Sequence, residues 1–156
     1  MRRKDREITD KNKIKEIISA CSCCRIGFND NDKVYIVPLN FGFVDDGESY
    51  TFYFHGAKEG RKIDLISQNP NVGFEMDANY FLKEADIACA YSARFQSVIG
   101  TGTVSILNNF EDKKKGLLAI MEHNTNRANW QFSDEMINSV CVFRLKVETL
   151  SCKEHL

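Results

Sequence analysis

The sequence predicts a mainly β fold, an antiparallel β-barrel with peripheral helices. Six segments show the period-two alternation of strands, and about three show helical spacing. The strands are joined by hairpins and short helical insertions, which argues against a doubly wound parallel sheet with a helix after nearly every strand. At 156 residues with 43% hydrophobic side chains, the chain is long enough for one substantial core. We therefore expect a single six-stranded domain over residues 1–156.

The first half of the chain carries one predicted helix and three predicted strands. Thr9 or Asp10 is expected to cap a helix over residues 10–20, because apolar residues recur at helical spacing behind a side chain that can accept a backbone hydrogen bond. The strands are predicted over residues 23–28, 33–44 and 49–55. Turn-forming residues at Asn29–Asp32 and Asp45–Gly47 separate these strands.

The second half alternates helices with longer strands. One helix is predicted to start near Gly60 and to end before Pro70, and another begins after the capping residue Asn109. The latter is expected to bury Phe110, Leu117, Leu118 and Met121. Strands are predicted over residues 72–77, 94–107 and 139–148. Residues 78–93 show little periodicity and are expected to be irregular, while Thr101–Thr103 suggest a bend or bulge.

The second predicted strand, over residues 33–44, has two different faces. One face is apolar throughout and consists of Tyr35, Val37, Leu39, Phe41 and Phe43. The other passes from aliphatic side chains to Pro38, Asn40 and Gly42. Proline removes a ladder donor and glycine in a strand often marks close approach by a ligand. Two interpretations remain open: a flat ligand lies against residues 38–42, or the proline protects an edge strand from aggregation.

Residues Thr51–Lys62 carry an aromatic strand into a short basic loop and then into a helix, and we refer to this stretch as the cradle. Gly56 and Gly60 allow a sharp turn and close approach to a ligand. Arg61 and Lys62 fall in the first helical turn, where the helix dipole disfavours each cation by about 0.3–1 kcal/mol unless an anion is present. A phosphate would remove this conflict by accepting backbone N–H bonds and pairing with both side chains. The alternative is that both cations point into water.

Composition and charge exclude several classes of function. A net charge of −1 and a pI near 6.3 give no broad attraction to nucleic acid. No apolar run is long enough to cross a bilayer, so no membrane association is expected. The charged N-terminus lacks the apolar core of a signal peptide, which predicts a cytoplasmic location.

The six cysteines do not form a metal-site pattern. Cys21, Cys23 and Cys24 cluster, whereas the other three are scattered, so no repeated C-x-x-C pair exists and no metal site is predicted. Most of the thiols are expected to be reduced core residues. A redox role near Cys23 and Cys24 is left open.

The polar segment His123–Asp134 contains the only tryptophan, Trp130. A loop that holds aromatic residues in a polar setting often covers a pocket or packs on a partner. It can equally be a plain surface loop with Trp130 turned inward, and the sequence leaves both interpretations open.

Four motifs spread along the chain carry a resemblance to a known family. They are M-R-R-K-D-R-E at the N-terminus, V-P-L-N-F at Val37–Phe41, Y-F-H-G-A-K-E-G-R-K at Tyr53–Lys62 and Q-N-P-N-V at Gln68–Val72. With them the chain resembles the pyridoxamine 5′-phosphate oxidase-like flavoproteins, and within these the Nim branch of 5-nitroimidazole resistance proteins. The oxidases themselves use an extra basic residue in the second strand, where Val34–Val37 is apolar here, so pyridoxamine phosphate oxidation is not the first expectation.

The resemblance implies a split β-barrel homodimer with one flavin mononucleotide (FMN), or the longer flavin adenine dinucleotide (FAD), in each of two clefts between subunits. The V-P-L-N strand would run along the flavin ring, the start of the basic helix would bind its phosphate, and a later strand would reach the ring. The cofactor-binding residues implied in this way are Val37, Pro38, Leu39, Asn40, His55, Gly60, Arg61, Lys62, Gln96 and Ser97.

The activity implied is a flavin-dependent reductase that converts the nitro group of 5-nitroimidazole-type small molecules to the amine. His55 is the candidate catalytic residue, as a proton donor or an orienting group; alternatively it only hydrogen-bonds the phosphate or a backbone carbonyl. Other possibilities are a flavin-binding redox module, an oxidoreductase related to pyridoxamine 5′-phosphate oxidase with another native substrate, and a structural dimer with a vacant cleft. The sequence does not indicate the electron donor.

Overall fold

The computed structural model describes residues 3–156. The first two residues of the N-terminal motif, Met1 and Arg2, lie outside the described residues. Within residues 3–156 the chain forms one antiparallel sheet of eight strands, with four α-helices and two 3₁₀ turns around it. The prediction of a mainly β fold with peripheral helices is therefore confirmed.

The six predicted strands are all present, one of them in two pieces, and a short strand precedes them. The strands are β1 (Glu7–Ile8), β2 (Cys24–Asp30), β3 (Lys33–Leu39), β4 (Gly42–Asp45), β5 (Tyr50–Gly56), β6 (Asn71–Lys83), β7 (Ser92–Ile106) and β8 (Cys141–His155). The α-helices are α1 (Lys11–Ala20), α2 (Arg61–Gln68), α3 (Phe110–Thr125) and α4 (Asp134–Ser139). The 3₁₀ turns cover Lys4–Arg6 and Ala88–Ala90.

The sheet closes on itself because its two edge strands are neighbours in the chain. The strand order is β3-β2-β6-β7-β8-β5-β4, with β1 added beside β8. Only Asn40 and Phe41 separate β3 from β4, the strands at the two ends of that path. Since consecutive Cα atoms are about 3.8 Å apart, the two edges must lie close together, and the sheet curls into a barrel that is split between β3 and β4.

The break at Asn40 and Phe41 corrects the prediction of one continuous strand over residues 33–44. Phe41 is fully buried, with its ring edge-on to Phe52 at 5.7 Å, and its carbonyl accepts a hydrogen bond of 2.9 Å from Asn124 Nδ2. The chain leaves β2 at this point and pairs with β5 instead. Long-range contacts of Phe41 therefore override the local alternation that predicts a longer strand.

Half of residues 78–93 belong to strands, which corrects in part the prediction of an irregular region. β6 continues to Lys83 and pairs with the first residues of β7, across a bulge between Ala78 and Phe81 in which Asn79 has a φ of 55°. The bulge interrupts the side-chain alternation, so pattern analysis loses the strand at that point. The last strand likewise extends beyond its predicted end at Glu148, because β7 continues to pair with it as far as His155.

Helix boundaries follow the predicted capping residues. Asp10 accepts from Lys13 N at 2.8 Å at the start of α1, and Asn109 accepts from the N–H groups of Glu111 and Asp112 at the start of α3. The predicted bulge also occurs, as a register shift between Thr101 and Gly102. The short helix α4 is an addition to the sequence-based prediction.

The buried face of α3 differs from the predicted one. Lys113, Gly116, Leu117, Ala119 and Ile120 are buried, whereas Phe110, Leu118 and Met121 are only partly covered. The buried side of α3 is therefore rotated about the helix axis relative to the predicted one. Two glycines explain the difference, because they let the helix approach the sheet closely. A Cβ on Gly42 would lie 2.2 Å from the Ala119 backbone, and one on Gly116 would lie 2.8 Å from the Tyr53 ring.

Two apolar clusters stabilise the barrel. The larger fills its interior around Phe28, Phe52, Phe54 and Phe143, and the smaller lies under α3 around Tyr53 and Val142. Strand β5 contributes to both, so its two faces are buried. Strand β5, which forms the first part of the cradle, is therefore packed on both of its faces.

All six cysteines are free thiols, as expected for reduced residues. Cys21, Cys24, Cys141 and Cys152 are buried, and Cys23 is half-buried. Burial raises the pKa of the Cys21 thiol to about 12 and that of Cys152 to about 11, so both stay protonated and weakly nucleophilic at neutral pH. Between Arg3 and Leu156, no helix combines the length and the apolar composition needed to cross a membrane.

Candidate functional site

The start of α2 has the features of an anion-binding turn. Gly60 caps the helix with φ 127° and ψ 166°, a conformation that side chains rarely adopt, and its carbonyl accepts from Ile63 N at 2.8 Å. No side chain among residues 3–156 caps this end. The N–H groups of Arg61 and Lys62 precede the first intrahelical bond and are available to a ligand.

Lys62 folds back over the end of β5. A Cβ on Gly56 would lie 3.1 Å from Lys62 Nζ, so the glycine leaves the space in which the ammonium group sits. Gly56 in turn pairs with Cys141 at the start of β8. No carboxylate within residues 3–156 lies within 4 Å of Lys62, and its charge is therefore open to an anion.

The sequence left open the alternative that Arg61 and Lys62 both point into water. Arg61 does not do so. Its guanidinium forms an ion pair with Asp30 and lies 5.1 Å from the centre of the Tyr35 ring. The Arg61 side chain remains 59% exposed, so its other N–H groups can reach a ligand. The pair also joins the start of α2 to the β2–β3 turn and brings β3 beside the cradle.

Strand β3 has a free backbone edge, because β2 is its only partner strand in the described part of the chain. Pro38 has no N–H, so its pairing with Arg25 is one of the non-hydrogen-bonded pairs of the ladder. The backbone carbonyls of Ile36 and Pro38 therefore point away from β2, toward the split. Val37 and Leu39 pack against the barrel core and hold the edge in position.

Asn40 lies at the far end of this edge. Its Nδ2 donates to the carbonyl of Ser22 at 3.2 Å and approaches Asn124 Oδ1 at 3.4 Å. At a rise of about 3.3 Å per residue, it lies roughly 16 Å along the chain from Tyr35. The edge between Tyr35 and Asn40 is thus long enough for a flat ring next to the cradle.

His55 is exposed at the end of β5, directly before Gly56. Strand alternation places its side chain on the same side of β5 as Tyr53. The ring has no hydrogen-bond partner among residues 3–156, so no protein group fixes its orientation. His55 lies within the cradle, directly before the turn that begins at Gly56, and is accessible to a ligand.

Gln96 and Ser97 lie on opposite faces of β7, since successive side chains alternate. Gln96 is 91% buried; it accepts from Asn79 Nδ2 at 2.6 Å and donates to Glu154. Ser97 faces outward beside Asp77. Three strand spacings of about 4.8 Å separate it from β3, roughly 14 Å in all.

The structure thus divides the predicted site residues into two groups. Val37–Asn40, His55 and Gly60–Lys62 lie along the split and around the cradle. Gln96 and Ser97 lie elsewhere in the same chain. Sequence reasoning also missed Asp30, the partner of Arg61, because N-D-N-D at Asn29–Asp32 carries only a turn signal.

His123 and Trp130 occupy structural positions. The His123 ring is partly buried between Phe41, at 4.3 Å, and Phe43, and its Nε2 lies 2.8 Å from the Cys21 carbonyl. Burial lowers the His123 pKa, and the bond to Cys21 opposes that effect. Trp130 donates to Thr125 at the end of α3 and stacks with Arg127, which favours the interpretation of a loop with Trp130 turned inward.

Comparisons with known proteins agree with this arrangement. The sequence pattern of the family described as pyridoxamine 5′-phosphate oxidase matches residues 10–154. A candidate 5-nitroimidazole antibiotic resistance protein from Bacteroides thetaiotaomicron is 32% identical, with a TM-score of 0.80 over 95% of this chain and 86% of that one. No curated protein matches the chain by sequence.

Two more distant structures share the fold. A flavocytochrome from Azotobacter vinelandii is 19% identical, with a TM-score of 0.79 over 100% of this chain and 72% of that one. A FAD- and haem-binding protein from Mycobacterium smegmatis is 14% identical, with a TM-score of 0.81 over 96% and 73%. From its matched sequence pattern and its 32% identical structural relative, this chain belongs to the pyridoxamine 5′-phosphate oxidase family and resembles its nitroimidazole-resistance branch.

Proposed function

We propose that this protein binds FMN along the split and in the cradle, and that it reduces the nitro group of 5-nitroimidazole-type compounds. The observation that carries the proposal is the start of α2, where Lys62 and two backbone N–H groups have neither an anionic partner nor a side-chain cap among residues 3–156, beside the free edge of β3. The name of the Bacteroides thetaiotaomicron relative supports the choice of substrate.

The residues present fit a flavin phosphate. Gly60 holds the turn open, Lys62 contributes charge, and Arg61 contributes N–H donors that its ion pair with Asp30 leaves free. A phosphate at this turn would accept from the N–H groups of Arg61 and Lys62. These residues supply hydrogen-bond donors, and α2 contains no carboxylate before Asp64. A dianionic phosphate requires such a surrounding of donors without nearby carboxylates.

The split fits the flat ring. Carbonyls of Ile36 and Pro38 can accept from ring N–H groups, and the rigid Pro38 keeps that edge from pairing with another strand. When bound, the flavin supplies the electrons for nitro reduction. The protein binds the ring, fixes its position against β3 and excludes water from one side of it.

His55 is the proposed proton donor. Conversion of a nitro group to an amine consumes protons in each round of reduction, and His55 is an exposed histidine of the cradle. The His55→Gln variant should bind FMN normally and reduce the substrate about 100-fold more slowly. Unchanged turnover with flavin bound would remove His55 from the reaction and leave it as a binding residue.

A second copy of the chain is proposed to complete the site. Val34, Ile36 and Ile99 are exposed on the outer face of the sheet, at 70%, 61% and 48%, and Phe81 and Leu82 are exposed on the extension of β6. Such apolar exposure is typical of an interface. Ser97 lies three strands from β3 along the sheet, and in the proposed dimer it would meet a ring held by the other subunit. Light scattering that finds a flavin-loaded monomer would contradict the homodimer.

A flavin-binding redox module is the second candidate function. The absence of an orienting hydrogen bond on His55 within residues 3–156 favours it, because a dedicated proton donor is usually held in place by a partner. Under this alternative the protein binds flavin stoichiometrically and reduces no nitroaromatic compound.

The deciding experiment starts from the protein purified from cells. Its visible spectrum is recorded, and the released chromophore is identified by chromatography as FMN or FAD. The anaerobically reduced protein is then mixed with a 5-nitroimidazole at no more than one-third of the flavin concentration, because the conversion of a nitro group to an amine takes six electrons and each reduced flavin supplies two. Reoxidation of the flavin with formation of the amine would support the reductase. Bound flavin without reaction would favour the redox module, and a colourless protein that takes up no added flavin would overturn both.

A further inference from the structure

Residues 78–94 form a two-stranded extension of the sheet, which we call the arm. β2 pairs with β6 only from Val72 to Glu75, and β8 pairs with β7 only from Phe95 onward. Within residues 3–156, the strand segments 81–83 and 92–94 of the arm therefore pair only with each other. A two-stranded ribbon by itself is marginally stable in water, so the arm needs a surface that packs on it.

Five large apolar side chains of the arm are exposed. They are Tyr80, Phe81, Leu82, Ile87 and Tyr91, which are between 44% and 67% exposed. Since a whole aromatic side chain carries about 150–250 Å² of surface, the five together present roughly 500 Å² to solvent. The largest apolar patch on a typical monomer is about 300–600 Å² and often functional. The arm alone forms a patch of that size.

Hydrogen bonds at the base of the arm fix its direction. Asn79 has a φ of 55°, and its Nδ2 donates to Gln96 Oε1 at 2.6 Å. The amide of the buried Gln96 donates to Glu154, and the Glu154 carboxylate lies 3.6 Å from Lys13 Nζ on α1. A buried polar network whose members are paired favours one arrangement of the chain. Gln96, which lies away from the cradle, therefore ties the arm to the barrel.

The charge of the arm favours a second copy of this chain as the surface that packs on it. Its two basic residues, Lys83 and Arg94, balance its two acidic residues, Glu84 and Asp86. A surface without net charge has no broad attraction for nucleic acid or for an anionic membrane. It is compatible with an identical surface, because neither sign of charge is in excess.

The outer face of the sheet supplies the rest of the contact area. Val34 and Ile36 of β3 and Ile99 of β7 are exposed there, and with the arm they give roughly 800 Å² of apolar surface, about what each partner contributes to a standard interface. In a two-fold dimer every contact is made twice, so contact between these residues sets β7 of one copy on β3 of the other. Arg94 precedes Ile99 by about 16 Å along β7. The arm of one copy then extends past an end of the other copy's β3.

We propose that the arm docks on a second copy of the chain and closes one end of that copy's split, with Tyr80, Phe81 and Tyr91 as an aromatic wall beside the bound ring. This inference rests on the proposed function, because it adds the partner's arm to the same site. Gln96 is a positioning residue, which holds the arm and does not contact the ligand.

The exposed thiol of Cys89, in the 3₁₀ turn at the tip of the arm, allows a test without flavin. A benzophenone maleimide is attached to Cys89 of the full chain, the protein is irradiated, and the cross-linked peptides of the dimer band are identified by mass spectrometry. The attachment sites are expected along β3 or in the cradle of the other copy. Cys89→Ser is the control, and it should give no cross-linked dimer.

Three results would overturn the proposal. The first is a purified protein that is monomeric, and the second is a dimer in which Cys89 attaches to neither β3 nor the cradle of the other copy. The third is a monomer that binds phosphatidylglycerol vesicles through the arm, so that Phe81→Ser abolishes the binding.

Phe81→Ser removes one ring of the wall from each copy, so its effect counts twice in a two-fold dimer. Sedimentation equilibrium should show dimerisation weakened about 100-fold, and fluorescence titration should show FMN bound about tenfold more weakly. Met136→Ser is the matched control and should change neither, since Met136 is 60% exposed on α4, outside the arm. Equal effects of the two substitutions, or a weaker dimer with unchanged FMN affinity, would remove the arm from the site.

Asn79→Gly tests the positioning role, because glycine accepts a positive φ and lacks the hydrogen bond to Gln96. The yield of the Cys89 cross-link to the other copy should fall severalfold. Asn126→Gly is the matched control, since Asn126 has a φ of 54° at the end of α3, and it should leave the yield unchanged. An unchanged yield in Asn79→Gly would mean that Gln96 does not hold the arm.

The cross-link also separates this proposal from the flavin proposal. Attachment of Cys89 to β3 or the cradle of the other copy, in a protein that takes up no flavin, would overturn the flavin function and keep the docked arm. Flavin bound by a protein that gives no such attachment would overturn the role of the arm alone.

Discussion

The junction of α1 and α3 and the cradle at the start of α2 use similar polar residues in opposite ways. At the junction, His123 and Asn124 reach the carbonyls of Cys21, Phe41 and Ile120. In the cradle, His55 and Lys62 reach no protein acceptor within residues 3–156, and the first helical N–H groups lack a side-chain cap. The junction is complete in the single chain, whereas the cradle leaves donors available.

This difference separates polar residues that are paired within the chain from polar residues that have no hydrogen-bond partner among residues 3–156. Buried polar groups are nearly always paired, so the paired histidine at the junction has a structural role. Unpaired donors that converge at an accessible turn are the arrangement expected of a binding site. Changes at the junction should therefore alter stability, and changes in the cradle should alter ligand affinity.

Alanine substitutions at two glycines, one packed against α3 and one in the cradle, should give the largest difference between an effect on stability and an effect on ligand affinity. Gly42→Ala places a Cβ against the Ala119 backbone, and we expect the free energy of unfolding to fall by about 3 kcal/mol or more. Gly60→Ala meets open space and costs only backbone strain, about 1–2 kcal/mol, but displaces the N–H groups of the cradle. Urea denaturation and FMN titration measure the two effects. Equal destabilisation by both variants would contradict the contrast.

The next largest difference in stability is expected between substitutions of His123 at the junction and of His55 in the cradle. His123→Ala removes a ring packed on Phe41 and leaves the Cys21 carbonyl without its partner, so unfolding should become easier by about 2–3 kcal/mol with FMN affinity unchanged. His55→Ala, at an exposed position, should change stability by no more than about 0.5 kcal/mol. A flavin-binding defect in His123→Ala that persists under conditions where the variant is fully folded would show that the two regions are coupled.

The ion pair between Arg61 of the cradle and Asp30 provides a test of how the charge of Arg61 affects ligand affinity. Asp30→Asn removes the carboxylate that competes for Arg61, and FMN should bind about three- to tenfold more tightly. Asp32→Asn, in the same turn and exposed, is the matched control and should have no effect. Weaker FMN binding in Asp30→Asn would mean that Asp30 positions Arg61 instead of competing for it.

The smallest expected effect is the pH dependence caused by His123. Burial holds its pKa below the usual value of 6.5 in the folded protein, and unfolding restores that value. Above pH 6.5 both states are neutral and His123 contributes no pH dependence. As the pH falls below 6.5, the unfolded chain binds the proton first, so stability decreases. The urea midpoint measured from about pH 7.5 to 5 should fall less in His123→Phe than in the unaltered protein.

Local features of the chain were predictable because their causes lie within a few residues. Asp10 and Asn109 cap helices through side chains that reach N–H groups two or three residues away. Pro70 ends α2 through its own ring. The glycines and cations of the cradle could be identified for the same reason, since the turn and the helix start are adjacent in sequence.

Other features depend on residues that are distant in the chain. The break at Phe41 follows from its contacts with Phe52 and Asn124, and the partner of Arg61 is 31 residues away. The burial of Lys113 gives no sequence signal, because a lysine in an amphipathic helix is ordinarily exposed. The buried face of α3 likewise depends on how closely Gly42 and Gly116 allow the helix to approach.

Alternation, capping and motifs are properties of short stretches, and for that reason the mainly β class, most of the element boundaries and the resemblance to the family could be predicted without the structure. The position of the split in the barrel and the pairing of Arg61 with Asp30 are visible only in the folded chain. The physical reason is that burial and ion pairing depend on which strand ends meet, and only the closure of the sheet brings β3, the end of β5 and the start of β8 to the cradle.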